Sequence, residues 1–441
     1  MGVGKYAVGA SWIYVSIHEQ GGASESLSGV LVGLFVAGMA LFGALFGALF
    51  GALNSRRHWF SVVLFAATWV VAEWCLTWLL TGFPWLFVGY GLMPTWIAGF
   101  APAIGALGLS FLACIIAAAL VHFGLQFKSA RGLNRFGVPL MCLLLLGGGY
   151  LLGRVNWVAL GEGYEVALVQ GNIEQRTKWE AESVRPILDT YQSLTEPHWG
   201  SDLVVWPEAS ITLFRAQAEP LLKRWDTRGK ATDTALLLGL PDVERLEDGS
   251  GSFQNTALAV GAGQGRYIKR RLVPFGEYVP LESLLRGLIG FFDLPMSRSG
   301  SGPEVQPPIR AGNTTLGLAI CYEIAYPELV RKSAETAEVL VTISNDAWFG
   351  ASIGPHQHLQ LAQMRALENG RFVLRSTNNG VTAIINQRGE LTQTLPQFEP
   401  GVLKGSYYAA SGRTPFNRFG HTPVLILAFG LLLGGILRRN A

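Results

Sequence analysis

Three short stretches of this chain carry side chains suited to nucleophilic chemistry at a carbonyl. In the first, the apolar, β-prone run 315–320 delivers Cys321 to the end of a strand, with Tyr322 and Glu323 directly after it. Pro327 then suits the first turn of a helix, and a strand-to-helix elbow lifts a side chain out of its sheet to where a reacting carbonyl can reach it. In the second, DLVVWPE places Glu208 just beyond an apolar strand, with Pro207 forcing an abrupt exit. In the third, RYIKRRLVPFGE supplies Lys269 and, beyond the PFG turn, Glu277. A thiolate nucleophile, a carboxylate to take its proton and a cation to stabilise an oxyanion are the parts that thioester chemistry needs. A free thiol titrates near about 8.5 and is only slightly ionised at neutral pH without help. Glu208 could be that base, and Lys269 could stabilise the tetrahedral intermediate. Each part also has a plainer reading. Cys321 could be a small buried hydrophobe, Glu208 a solvated acid in a turn, and Lys269, beside Arg270 and Arg271, a basic strand end.

The remaining candidates for chemistry are few. Cys75, Cys114 and Cys142 lie inside apolar runs, so Cys321 has no disulfide partner in the polar part of the chain. No histidine occupies a comparable strand end. His356 and His358 stand at a helix start, where they read as surface or cap residues, and their two-residue spacing points them to different faces. Neither a metal site nor a cofactor is expected. The net charge of +3 over 441 residues and the absence of a long Lys/Arg run argue against a nucleic-acid partner.

The elements that must position these residues fall into two kinds. Half of the residues are apolar and only 15% are charged, so membrane spans come before domain counting. Spans are expected at about 26–53, 60–80, 96–123 and 136–152, forming a membrane domain over 26–153, with a C-terminal transmembrane helix at 422–437. Gly43, Gly47 and Gly51 make a smooth strip where another helix could approach closely, unless LFGALFGALFGAL is mere low-complexity drift. Basic residues follow three spans: Arg56 and Arg57, then Lys128, Arg131 and Arg135, then Arg438 and Arg439. The positive-inside rule puts these in the cytoplasm and places residues 1–25, the loop 81–95 and the whole middle block outside. Glu73, the only charge between Arg57 and Lys128, either serves function or is a protonated carboxyl bonded to a neighbouring helix. The loop TGFPW (81–85), with Tyr90 and Trp96, reads as interfacial.

From 164 to 408 the composition becomes that of a globular α/β domain. Strand-like runs recur at 165–169, 202–205, 235–239, 256–260, 315–320, 338–343, 372–376 and 381–385. Helical patterns lie at 179–194, 220–227 and 356–368, which argues for helices covering a sandwich of sheets.

The motifs WPE, K-x-x-LVPFGE, ICYE and SNDAWFG together resemble the Glu-Lys-Cys arrangement of the nitrilase superfamily, which implies an α-β-β-α sandwich. SWIYVSIHEQGG, TGFPWLFVGY, VQGNIEQRTKW, FFDLPMS and RSTNNGVTA narrow the resemblance to the membrane-bound apolipoprotein N-acyltransferase family, over nearly the whole chain. The resemblance implies a multi-pass enzyme of the bacterial inner membrane with a periplasmic catalytic domain. Cys321 would take an acyl chain from a phospholipid, typically phosphatidylethanolamine, as a thioester. It would then pass the chain to the α-amine of a diacylglyceryl cysteine at an apolipoprotein's amino terminus. By the same match Glu208 is the general base, Lys269 the oxyanion-side cation and Cys321 the nucleophile. Glu277, Tyr322 and Glu323 would line the site, and Trp179 and Trp348 would sit on mobile loops guarding it. The apolar loop 281–296, with Phe291 and Phe292, would form part of a lipid portal or simply pack on the domain. Family members begin with further membrane helices ahead of SWIYVSI, so upstream helices are expected to be missing from this reading frame. Two rivals remain: a membrane-tethered amidase in which water resolves the thioester, and a catalytically silent scaffold.

Overall fold

The computed structural model describes residues 2–54, 58–126, 136–245, 251–279 and 299–440. Its first part is helical: α1 (Gly2–Gly9), α2 (Trp12–Val15), α3 (Glu25–Leu53), α4 (His58–Cys75), α5 (Ala101–Gln126) and α6 (Gly137–Leu152), joined later by the C-terminal helix Thr422–Asn440. Ser24 caps α3 by accepting from the Leu27 amide. By length and composition, two helical stretches suffice to cross a membrane, Glu25–Leu53 and Trp96–Leu125. The apolar helices Trp59–Cys75, Gly137–Leu152 and Thr422–Arg438 are shorter. Leu34, Leu41, Leu45, Leu143, Leu144 and Leu433 point outward, an apolar surface that water alone would not favour.

Several details depart from the sequence expectations. The helix expected to continue to residue 80 stops at Cys75. The chain then reverses through left-handed Leu80 and Thr81, with the Phe83 amide bonded back to the Leu76 carbonyl at 2.8 Å. Trp85 and Tyr90 are buried rather than interfacial, and only Trp96 of that aromatic set is exposed. The loop plugs into the neighbouring sandwich, where the Trp85 indole donates to Gln357 Oε1 at 2.7 Å. Glu73 Oε1 accepts from the Trp69 indole at 2.9 Å and the Val88 amide at 2.8 Å, with Lys5 3.9 Å away, so it ties α4 to the following turn. The strip of Gly43, Gly47 and Gly51 faces open space among the described residues. Of the basic residues used to orient the spans, Arg56, Arg57, Lys128, Arg131 and Arg135 lie outside the described residues, as does the loop 281–296.

The second part is built on two sheets. One contains β1 (Ala159–Gln170), β2 (Leu203–Val205), β3 (Ala235–Arg245), β4 (Gly251–Gly261), β6 (Arg266–Ile268) and β13 (Gly401–Ser411), in the order β13-β1-β2-β3-β4-β6. The other contains β5 (Gly263–Gln264), β7 (Ile309–Ala311), β8 (Thr314–Ile320), β9 (Val339–Ser344), β10 (Val373–Thr377), β11 (Ala383–Ile385) and β12 (Leu391–Thr394), in the order β12-β11-β10-β9-β8-β7-β5. The central trios β1-β2-β3 and β8-β9-β10 are parallel. Alternation along β1 sends Val166 and Leu168 into the space between the sheets, against Leu316, Leu318, Val341 and Leu374. Ala167 and Val169 face the other way, under α7 (Val184–Thr195) and α8 (Arg215–Ala231), where Ile187, Tyr191 and Trp225 cover them.

On the far face of the second sheet lie α9 (Pro327–Ser333) and α10 (Gly354–Asn369). The helical part covers α10 in turn: its Glu368 accepts from the Ala106 amide of α5 at 2.6 Å. α10 is therefore buried along nearly its whole length despite its polar sequence.

Close backbone approach also joins the helices themselves. A Cβ on Gly99 would lie 1.9 Å from the Gly149 carbonyl oxygen and 2.7 Å from the Gly153 nitrogen, backbone atoms that cannot yield separately. We therefore expect Gly99→Ala to destabilise the bundle by about 1–3 kcal/mol, whereas Gly43→Ala, on an open face, leaves stability unchanged. Thermal unfolding of both variants in detergent checks this, and equal transition temperatures would refute the packing.

Candidate active site

β8 runs straight into the elbow. Ile320 is extended, but Cys321 has φ +53°, a left-handed conformation that a side chain with a Cβ adopts at a cost of order 1–3 kcal/mol. A 3-10 turn, Cys321–Ala325, follows, and Pro327 opens α9 at the position where its missing N–H is harmless. Glu323 holds the strained turn. Its carboxylate accepts from the Ile320 amide at 2.8 Å, the Arg270 amide at 2.7 Å, the Arg271 amide at 3.1 Å and the Tyr267 hydroxyl. It is wholly buried, and burial pushes its pKa up. Glu323 therefore does not line an open site. It fastens the segment after Lys269 to the residue before Cys321.

Lys269 leaves β6 with its backbone amide on the Asn255 carbonyl at 2.9 Å and its ammonium almost fully buried. Nζ lies 3.0 Å from Glu208 Oε1 and 2.8 Å from Glu277 Oε1. The Asn255 side-chain amide donates to the same two oxygens, at 2.7 and 3.3 Å. Glu277 Oε2 accepts from the Val273 amide at 2.8 Å, which closes the PFG turn onto the site. Glu208 Oε2 accepts from the Asn345 amide at 2.9 Å. Room for Glu208 comes from Gly239, whose Cβ would sit 2.6 Å from the Pro207 carbonyl oxygen and 2.8 Å from Glu208 Cα.

Burial acts on each of these charges, and the neighbours decide the outcome. Burial alone would raise the Glu208 pKa, but the Lys269 ammonium and the Asn255 and Asn345 donors outweigh it and hold the carboxyl below its usual range. Burial would lower Lys269, yet two adjacent carboxylates carry it well above the ordinary lysine value. For Cys321, burial and the Glu208 carboxylate both push the thiol up, and Lys269 only partly offsets them. The resting cluster is thus a neutral thiol beside an ionised acid and an ammonium. Glu208 Oε1 already takes two donors and Oε2 one, so Oε2 is the oxygen better able to receive a proton.

The other expected residues are spread around this cluster. Tyr322 points away from it, its hydroxyl on the Gly82 carbonyl at 3.2 Å and its ring stacked on Trp85. Trp179 is exposed in a turn, and Trp348 is half-buried in the 3-10 turn Asp346–Phe349. Ser16 donates to the Trp348 carbonyl at 2.8 Å, and Arg176 donates to the Glu19 carbonyl at 2.8 Å, so the amino-terminal stretch braces both loops.

His356 is exposed, as expected, but His358 corrects the surface reading. It is wholly buried on α10, between Asp346 and the Cys321 carbonyl. Periodicity hid it because α10 is covered on both sides. Asn255 and Asn345 also escaped the sequence reading: Asn255 is a neutral amide inside β4, and Asn345, just past β9, reaches Glu208 through its backbone N–H, which carries no sequence signal. No group of three or more His, Cys, Asp and Glu suited to a metal occurs among the described residues.

A buried Lys between two Glu, beside a left-handed Cys at a strand end of a four-layer sandwich, defines a protein of the carbon-nitrogen hydrolase class, and the family model of that description matches residues 165–409. A second model, the apolipoprotein N-acyltransferase N-terminal domain, matches residues 1–119. The chain belongs to the apolipoprotein N-acyltransferase family. It is 42% identical over 441 residues to the apolipoprotein N-acyltransferase of Pseudomonas aeruginosa LESB58, covering all of this chain and 86% of that protein. It is 43% identical over 444 residues to that of Azotobacter vinelandii, with the same coverage. Among solved structures, Saccharomyces cerevisiae Nit3, a member of branch 10 of the nitrilase superfamily, matches with 16% identity and a TM-score of 0.42, covering 56% of this chain and 91% of that one.

The electrostatics fix a sign that alkylation can read. Removing the Glu208 charge with Glu208→Gln takes away a group that raises the Cys321 pKa and leaves Lys269 in place. The pH midpoint for alkylation of Cys321 by iodoacetamide should therefore move down. Lys269→Met should move it up. Midpoints that shift together, or in the reverse sense, would show that the three groups are not coupled.

Proposed function

We propose that the chain is an N-acyltransferase of lipoprotein maturation, moving an acyl chain from a phospholipid such as phosphatidylethanolamine to the α-amino group of the N-terminal diacylglyceryl cysteine of an apolipoprotein. In the first half-reaction Cys321 Sγ attacks the ester carbonyl while its proton passes to Glu208 Oε2. The carbonyl oxygen becomes an oxyanion, and Lys269, with two of its three N–H groups on Glu208 and Glu277, turns the third toward it. Collapse breaks the ester C–O bond, and the departing lysophospholipid oxygen takes the proton back from Glu208. In the second half-reaction the acceptor amine attacks the thioester carbonyl and loses a proton through Glu208. The amide forms, and the sulfur leaves and is reprotonated.

The observation that carries this reading is where the elbow is anchored. Tyr322 and Tyr326, one and five residues beyond the nucleophile, place their hydroxyls on the carbonyls of Gly82 and Thr81, at 3.2 and 2.9 Å, in the loop between apolar helices. A thiol tied to that loop suits donors and acceptors whose tails remain in a bilayer. The outward apolar faces of α3, α6 and the C-terminal helix support a multi-pass protein of the bacterial inner membrane, and Arg438 and Arg439 at the end of the last helix favour the sandwich on the periplasmic side. In this reading Glu277 keeps the Lys269 ammonium in place, while Trp179 and Trp348, on the braced loops, guard the entrance. Tyr322 and Glu323 serve the site by holding the elbow.

The experiment is to supply radiolabelled phospholipid and a diacylated peptide to the purified protein in detergent. Transfer gives N-acylated peptide and, without acceptor, an acyl adduct on Cys321 by intact mass, and Cys321→Ala abolishes both. Label appearing only as free fatty acid would indicate hydrolysis instead. Because Glu208 is held below the usual carboxylate range, acylation should hold as pH falls through neutrality and decline only once pH drops below that ordinary range. A decline beginning near neutral pH would exclude Glu208 as the base.

A further inference from the structure

We propose that His358 is a positioning residue for acylation: it sets the plane of the Cys321–Tyr322 peptide so that the Tyr322 N–H is aimed as a second oxyanion donor beside Lys269. The proposal rests on the thioester reading above, though not on the identity of the acyl donor.

His358 is wholly buried on α10. Its Nε2 lies 3.0 Å from the Cys321 carbonyl oxygen, and a carbonyl can only accept, so Nε2 carries the hydrogen and donates. On the other side Nδ1 lies 2.9 Å from Asp346 Oδ1. Asp346 is itself held by the Arg375 guanidinium and the Ser344 hydroxyl, all of them buried. Gly380 makes room for this group, since a Cβ there would fall 2.3 Å from Asp346 Oδ2. The imidazole therefore has a fixed orientation, imposed by strands β9 and β10 and delivered to one backbone carbonyl.

That carbonyl belongs to the peptide whose other end is the Tyr322 N–H. The unit is planar and trans, so C=O and N–H point in opposite directions. Fastening the carbonyl toward α10 aims the N–H away from α10. A carbonyl that accepts a hydrogen bond also makes its own N–H a stronger donor. The bond acts at the most strained residue of the elbow. Glu323 grips the amide of Ile320 before Cys321, and His358 grips the carbonyl of Cys321 itself. The 3-10 turn that begins at Cys321 leaves the tilt of this first peptide plane adjustable, and the His358 bond fixes it.

Two substitutions separate this role from mere filling of the core. Gln at 358 can put an amide N–H where Nε2 was and keep the bond to Cys321. Asn reaches only the Nδ1 position and keeps the bond to Asp346. Two reagents are read on the purified protein: p-nitrophenyl butyrate, which acylates Sγ through an oxyanion, and iodoacetamide, which alkylates Sγ without one. His358→Asn should slow acylation about 10²-fold, with KM for the ester unchanged, while alkylation stays within about threefold of the wild type. His358→Gln should recover acylation to within about tenfold of the wild type. Asp346→Asn, which keeps its shape, should show a smaller loss in the same sense, and it decides the matter if His358→Asn does not fold. Equal losses for Asn and Gln, or alkylation falling in parallel with acylation, would overturn the proposal. Wild-type protein acylated by the nitrophenyl ester but never by phospholipid would refute the lipid substrate and leave the His358 comparison standing.

Discussion

An ammonium with almost no exposure to water, placed between two carboxylates, is the constraint around which this molecule is arranged. Leaving any one of these charges buried without its partner would be strongly unfavourable, by about 3–5 kcal/mol, so Lys269, Glu208 and Glu277 must arrive together or not at all. Glu208 follows β2, Lys269 follows β6 and Glu277 sits in the turn beyond it, and Asn255 and backbone amides of residues 273 and 345 complete their hydrogen bonding. The same charges set the thiol beside them. Burial, with Glu208 adding to it, keeps Cys321 protonated at rest while Glu208 itself remains ionised, the arrangement in which attack and proton transfer occur together.

Attachment to the helical part follows from the other face of the same elbow. Glu323 holds the turn to the segment after Lys269, while His358 and the side chain of Tyr322 hold it on the side of the loop after α4, where Trp85 meets both rings. Trp85 from that loop stacks on Tyr322 and bonds Gln357 of α10. The helical bundle and the sandwich thus share one buried seam, and the nucleophile stands at its edge.

Much of the architecture was readable from the chain. Every strand-like run with alternating or continuous apolar residues overlaps an observed strand, because strands buried on both faces cannot hide their composition. Of the strands outside those runs, β5 and β7 are only two and three residues long, and the longer β13 is mixed in polarity and interrupted by Gly405 and Ser406, so none carries a clear hydrophobic signal. Two misreadings share a cause. The pattern around Trp85 reads as interfacial and that around His358 as surface, yet both side chains are buried. In both cases a segment half-exposed by its own pattern is covered by a distant part of the chain, since Trp85 bonds Gln357 and packs on the His358 ring.

By itself, the sequence determined the residue types of the site, the strand ends that carry them and the division into an apolar helical part and an α/β part. These are local properties, written in side-chain polarity and period. Only the tertiary structure decided that Glu323 clamps the elbow instead of lining the site, that Asn255 and Asn345 complete the charge cluster and that a histidine stands behind the nucleophile. Each of those roles depends on which carbonyl, amide or ring lies across a fold-level contact, and no spacing along the chain encodes that distance.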